Sequence, residues 1–415
     1  MNDNGRPNAE QNDNGRGHAD DYINLATALG TTGDKSSWTQ AGRVTDLTTQ
    51  ELDTLYEQEA MAARIVDRVV DDATREPFAL TGVDESFDWK EVQSELDDLQ
   101  VLEQLGDTWR WSRLYGGAVC VMVVNDGTPI DKPLDLSRAT QILSLLVVER
   151  PFAQPDMFAR GLGNQSFRRP EIYRLTSPMG GERAVHRSRV IRFDGLRVPP
   201  SRLVVRNGWG PSVLDRVWTE LKRLGATMGY AEAILHELSV MKLGIKDFRT
   251  KAAGSAQGRQ ELKQVFETIR WAIDNLHLLV HDVADTYDEQ TRSTQGLDAL
   301  IGRFVDALVR ATGIPRVILL GEQPSGLNTT ADAEVRSWFD SVASQQRKVL
   351  TPALNRLLEV YFALRAKRGK PFPTEWTIEY APLWQPTEKE QADTEKVRAE
   401  TEVLRRPPAP APVAP

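Results

Sequence analysis

The sequence has little of what catalytic chemistry is usually built from. Its 415 residues hold one cysteine and five histidines. Cys120 has no disulfide partner and sits inside the apolar run GGAVCVMVV, which suits packing rather than nucleophilic attack and points to a reducing compartment. No GxxxxGK[ST] segment is present to cradle a nucleotide, and no GxGxxG follows a strand pattern. His277 and His281 have HxxxH spacing, but HLLVH reads as extended and has no third ligand beside it. His236-Glu237 is not followed by a second histidine at the metalloprotease spacing. His186 stands in a single His-x-Ser, a pattern that phosphodiesterases of the two-histidine type need twice. No catalytic residue, metal site or cofactor is therefore assigned.

Long apolar runs are missing too. A run such as Ile142 to Val148 spans seven residues with one serine among them, against the ~18 or more that cross a bilayer. No membrane segment is expected, and the polar start MNDNGRPNAEQNDNGRGHAD offers no apolar core for a secretory signal. Excess positive charge is absent as well: 51 Lys and Arg against 59 Asp and Glu give a net charge of −8. A tight, static nucleic-acid binder needs the opposite balance. Weak passage of nucleic acid along the surface is compatible with it.

What is present is a long chain of mixed texture. Residues 1–40 are rich in Asn, Asp and Gly, repeat NDNGR at 2–6 and 12–16, and carry too few apolar groups to offset the cost of ordering. The other end, RRPPAPAPVAP, reads as an extended tail. Apolar positions at helical spacing run from Thr49 to Phe78 and from Trp89 to Tyr115. Acidic pairs on these helices, Asp71-Asp72 and Asp97-Asp98, read as solvated faces.

The texture then turns to strands. Residues 116–124 end at Asn125-Asp126-Gly127, a turn signal, and short strands are predicted at 141–150, 171–175, 189–193 and 201–205. Helical pattern resumes at Pro211, placed as a first helical residue. Leu214, Val217, Leu221, Leu224, Met228, Ala231, Leu235 and Leu238 form one seam along a helix predicted over about 211–243. A smaller unit follows, with a helix at 259–276 and an extended HLLVHDV. A helix at 297–312 returns the chain, GIPRVILLG reads as a break and a short strand or extended segment, and GEQPSGLN as a loop. The last helix, about 330–364, has Val335, Trp338, Val342, Val349, Leu354, Leu358 and Phe362 on its apolar side and is expected to kink at Pro352. The ten tryptophans are dispersed over these elements rather than clustered with Lys and Arg, so they make no base-stacking platform.

Several segments in this order carry a family likeness: MAARIVDRVVDDATREPF, WRWSRLYGGAVCVM, HRSRVIRFDG, GWGPSVLDRVWTEL, GIPRVILLGEQPSGLNTTADAEVRSWFDSV and PLWQPTEKEQADTE. Over about residues 50–395 the chain resembles phage portal proteins, in particular the portal group with an anti-CBASS-like N-terminal region. The resemblance implies an α+β portal fold with an α/β wing, long stem helices, a small α/β clip, a kinked long helix with a channel loop, and a small α-helical crown. Laid on this sequence, 1–44 is an arm, 45–205 the wing, 206–243 a stem helix and 244–296 the clip. Residues 297–320 supply the second stem helix and return strand, 321–329 the channel loop, 330–364 the kinked helix, 365–404 the wing return and reduced crown, and 405–415 the tail.

The resemblance implies a dodecameric ring at the capsid vertex of a virion, assembled in the host cytoplasm, through which double-stranded DNA is packaged and ejected. The implied partners are further copies of the chain, the terminase large subunit, a head-tail adaptor or neck protein, the major capsid protein and the DNA itself, with no membrane, no cofactor and no enzymatic step. Glu322, Gln323, Pro324, Ser325, Gly326, Leu327 and Asn328 would face DNA, and Lys263 and Arg270 would dock partners at the clip. The competing expectations are a minor capsid or scaffold protein without a channel and a phosphodiesterase-type enzyme.

Overall fold

A computed structural model of the chain describes residues 46–82, 87–158, 169–177, 180–236, 239–244, 286–291, 296–321, 329–373 and 375–384, with isolated positions at Gln257, Gln260, Lys263, Gln264, Glu267 and Lys396. Helix and strand are mixed, as the α+β expectation requires. The N-terminal helical region is four helices rather than two: α1 (Thr49–Gln58), α2 (Ala60–Thr74), α3 (Trp89–Asp98) and α4 (Val101–Tyr115). Thr48 and Glu51 cap α1 reciprocally, Glu59 in extended conformation separates α1 from α2, and Gln100 at φ 52 separates α3 from α4. Pro77 precedes a short strand, β1 (Phe78–Thr81).

The continuous apolar run at 117–124 becomes β2 (Gly117–Val124), the central strand between β3 (Ile142–Glu149) and β7 (Val190–Asp194), antiparallel to both. It does not alternate polar and apolar because both of its faces are covered. Cys120 and Met122 enter the main core, whereas Val119 and Val121 enter a second core with Val148, Tyr173, Val185 and Trp209. A second antiparallel sheet holds β4 (Ala153–Phe158), β5 (Pro170–Thr176) and β6 (Glu182–His186). Gly127 does turn, at φ 70, but residues 125–141 form a long excursion rather than a tight hairpin.

Two predicted strands are helices. Residues 201–205 lie in α5 (Pro200–Val205), where Pro200 fixes a helical start that overrides the β preference of the two valines. Residues 316–320 form α8 (Arg316–Leu320), entered from Pro315 and closed by Gly321 at φ 70. A four-residue apolar run does not itself distinguish the two states.

The long helix α6 (Val213–His236) begins two residues after Pro211, because Ser212 caps it: its Oγ accepts from the Leu214 N–H, and Asp215 accepts from the Ser212 N–H. The chain then passes into β8 (Ser239–Gly244), paired with β9 (Thr286–Thr291), so the helix is shorter than the predicted 211–243. α7 (Leu297–Thr312) packs on α6, and the seam residues Leu214, Val217, Leu221, Leu224 and Ala231 are buried within the chain, while Met228 is exposed. The last helical stretch comprises α9 (Thr329–Gln345), a π turn (Gln346–Leu350) and α10 (Thr351–Lys367), after which β10 (Thr377–Tyr380) pairs with β1.

Candidate functional site: the frame that carries residues 322–328

The seven residues Glu322, Gln323, Pro324, Ser325, Gly326, Leu327 and Asn328 lie outside the described residues, but the elements on either side of them are described. Both are fastened to α2. On the leading side, Arg64 Nε donates to the Ile318 carbonyl of α8 at 3.1 Å, and Leu319 is fully buried. On the trailing side, the Trp338 indole N–H of α9 donates to Asp72 at 2.8 Å, and Arg68 pairs with the same carboxylate at 3.0 Å. Arg64 and Asp72 are eight residues apart on α2, ~12 Å of helix at 1.5 Å per residue. The described elements before and after the segment are thus each held to α2.

Asp72 corrects the solvated-face reading of Asp71-Asp72. It is 3% exposed, held between Arg68 and Trp338, whereas its neighbour Asp71 stays at the surface on Arg110. Further along, the buried Gln346 side chain donates to the Ala73 carbonyl at 2.8 Å, and Arg75 donates to the Leu383 carbonyl at 2.8 Å. Arg64, Arg68, Asp72 and Arg75 therefore line one side of α2 at helical spacing, and that period of charged residues inside an apolar helix was the signal available in the sequence. Trp338 and Gln346 had no comparable signal.

Pro352 is the second residue of α10, directly after the π turn, rather than an interior residue of one unbroken α-helix. Lys263 is exposed and lies 3.9 Å from Glu267, one helical turn on; Arg270 lies outside the described residues.

The sheet side is anchored to the same helices by close backbone approach. A Cβ on Gly195 would lie 2.5 Å from the Gly116 Cα and from the Pro211 carbonyl oxygen, and one on Gly117 would lie 2.2 Å from the Trp209 ring. These glycines let α4, β7 and the entry to α6 cross at one point. Arg150 closes the crossing by donating to the carbonyls of Tyr115 and Gly210, both at 3.1 Å. Arg192 lies 3.8 Å above the Trp209 ring centre and donates to the Gly208 carbonyl at 2.6 Å.

The ionisable groups here serve structure. Asp126 is buried against Arg189 at 2.6 Å. Burial pushes its pKa up, but hydrogen bonds from the Asp135 N–H, Arg189 and Thr128 outweigh this and hold it well below the usual carboxylate range. Burial raises the Cys120 thiol to about 12, which keeps it protonated. His186 Nδ1 accepts from the Ser188 N–H at 3.2 Å and closes a 3-10 turn. Among the described residues no group of three His, Cys, Asp or Glu is placed to hold a metal ion, and no helix is long and apolar enough to cross a membrane.

Similarity to known proteins covers nearly the whole of this architecture. The chain is 27% identical over 401 residues to an anti-CBASS protein Acb1 of Caulobacter sp. (strain RHG1), covering 92% of this chain and 62% of that protein. It is 25% identical over 372 residues to an uncharacterized protein of Haemophilus influenzae, covering 88% and 81%. The chain thus spans less than two thirds of the length of the Caulobacter relative. Among solved structures, a chain from the neck of a native GTA particle with C12 symmetry covers 89% of this chain and 97% of its own length, at 12% identity and a TM-score of 0.49. The profile of one family, described as phage portal protein, matches residues 50–403, the span that holds α2, the crossing glycines and both flanks of residues 322–328, and the chain belongs to that family.

Proposed function

We propose that this protein is a portal subunit. Copies would close into a ring at the capsid vertex, double-stranded DNA would pass through the middle, and residues 322–328 would face it. The observation that supports this reading most directly is the frame: α8 and α9 are both locked onto α2, so a short segment between them is presented from a rigid base. The segment carries one acidic and no basic side chain, Glu322, so its action on DNA would be steric or through amide groups rather than ion pairing. The net charge of −8 per subunit, repeated around a ring, would keep phosphate from adhering during transit.

Ring closure would use a different face from the apolar seam of α6. Leu214, Val217, Leu221, Leu224 and Ala231 of that seam are already buried inside the chain, so the head-to-tail contact falls to the outer face of the α6–α7 pair, where Leu300 is exposed. Terminase, the adaptor or neck protein and the major capsid protein remain the proposed partners, with Lys263 and Arg270 as the clip contact and the virion as the location. We take the chain to act without catalysis, because the one His-x-Ser it holds is engaged in a structural turn.

Electron microscopy of the purified full chain tests the ring: uniform rings with a central hole are expected, and solid or irregular particles would favour a scaffold protein. Deleting Pro324 to Leu327 should leave rings intact and impair DNA packaging or retention. Full DNA filling and normal retention with that ring would remove residues 322–328 from the DNA path.

A further inference from the structure

We propose that the joint of the long C-terminal helix is the π turn Gln346–Leu350 rather than Pro352, and that Gln346 pins this joint to the end of α2. The buried residues Trp338, Val342, Gln346, Leu350, Leu354, Leu358 and Phe362 recur at every fourth position. In a pure α-helix of 3.6 residues per turn each such step drifts by ~40°, so over six steps the stripe would wind far round the helix and leave the core. A π turn takes one more residue per turn and sets the stripe back. α10 is buried on further faces too, through Ala353, Leu357, Val360, Tyr361 and Leu364, so this setting back matters most for the α9 half of the stripe, Trp338 and Val342.

The hydrogen bonds agree. The Gln346 carbonyl accepts from the Thr351 N–H, five residues on, and also from the Thr351 hydroxyl at 3.3 Å. The Gln346 side chain meanwhile donates to the carbonyl of Ala73, in the last turn of α2, where helical carbonyls have no partner of their own. The buried side-chain amide thus has an acceptor for its N–H, and the backbone carbonyl of the same residue has two donors. Pro352 is exposed and is the second residue of the α-helix that follows the π turn, so its missing N–H falls where the hydrogen-bond ladder is already changing register. The proline tolerates the joint but does not make it.

A joint of this kind stores one residue of register. Were the same residues wound as unbroken α-helix, α9 would turn about its axis relative to α10 by ~100°, one residue's share of a turn. That rotation would carry Trp338 away from Asp72 and change the direction in which α9 leaves the frame. The joint stands whether or not residues 322–328 line a channel; only its consequence for that segment rests on the portal reading.

The test uses the full chain with spin labels at Asp340→Cys and Lys367→Cys, diluted into unlabelled chain so that only intrachain distances are read. Cys120 is fully buried and stays unlabelled. With Pro352→Ala the distance distribution and the amide exchange of residues 346–351 should stay at their parent values. Deleting Lys348, an exposed residue of the π turn, should let the turn close as ordinary α-helix, keep the distance and slow that exchange about tenfold. Gln346→Leu should keep the distance and speed exchange in the π turn and at the end of α2 about tenfold. A shift with Pro352→Ala would return the joint to the proline, and exchange at 346–351 unchanged by the deletion would show that there is no joint. Should the deleted chain fail to fold, parent-like exchange in Gln346→Leu would by itself overturn the pin. Because these measurements need no DNA, their failure is distinct from failure of the portal reading.

Discussion

The sheet side and the helical side of the molecule both bury an arginine, in opposite ways. Arg189 and Asp126 are 2% and 1% exposed, so their pair is sealed. Arg365 is 1% exposed, but its partners Glu91 and Glu95 are 43% and 25% exposed and are shared with Lys370, while Glu95 also meets Arg368 and Tyr361. In the first region each charge depends on one counter-charge, with no water to replace it. In the second, several cations share two carboxylates at the edge of solvent. Sequence alone gives no hint of the contrast, since all of these positions are ordinary charged residues. The difference in burial makes the first region intolerant of single changes and the second redundant.

The largest effect should therefore come from Arg189→Met. It strands Asp126 without its cation and should lower unfolding stability by about 3–5 kcal/mol in urea titrations, whereas Arg189→Met with Asp126→Leu should recover most of the loss. Next comes Gly195→Ala, whose Cβ would meet backbone at 2.5 Å on two sides. Backbone cannot rotate aside, so a loss of about 3 kcal/mol is expected, at the upper end for overpacking. Trp338→Phe keeps the ring's bulk but removes the donor to Asp72, which retains Arg68. A loss of about 1–2 kcal/mol is expected, with faster amide exchange in α9. Lys370→Ala on the redundant side should leave the unfolding midpoint close to that of the parent, because Glu91 and Glu95 keep Arg365. A loss as large as that of Arg189→Met would erase the comparison.

Acid sharpens the same contrast. Burial pushes the Glu95 carboxyl up, but hydrogen bonds from Lys370 and Tyr361 and the charge of Arg368 bring it down to about 2 from a usual 4.5. A lowered carboxylate stabilises the folded state above its unfolded pKa, and that contribution is lost as pH falls through the folded value. Stability should therefore decline between about pH 4.5 and 2, and Glu95→Gln should flatten that part of the curve. Asp126 is held lower by its own bonds, so its contribution should persist further into acid.

How far such features could be read in advance depended on whether the signal was local. The continuous apolar run at 117–124 gave β2 at nearly its true bounds because a doubly covered strand needs no alternation. The valines at 204 and 205 misled because a proline-fixed helical entry outweighs β propensity. Asp72 misled more deeply: as one of two adjacent aspartates on an amphipathic helix it looked solvated, and only the arrival of Trp338 from 266 residues away buries it.

Neighbouring residues along the chain settle the class of the fold, the order of its helical and β-rich stretches, the absence of the usual catalytic motifs and the family to which the chain belongs. Each rests on periodicity or on the run of short segments, which are properties of neighbours along the chain. The tertiary structure decided which charges are sealed, which face of α6 is already used, and where the long helix changes register. Those depend on desolvation and on contact between residues distant in sequence, as when Gln346 reaches Ala73, and no spacing along the chain encodes what a side chain will find there.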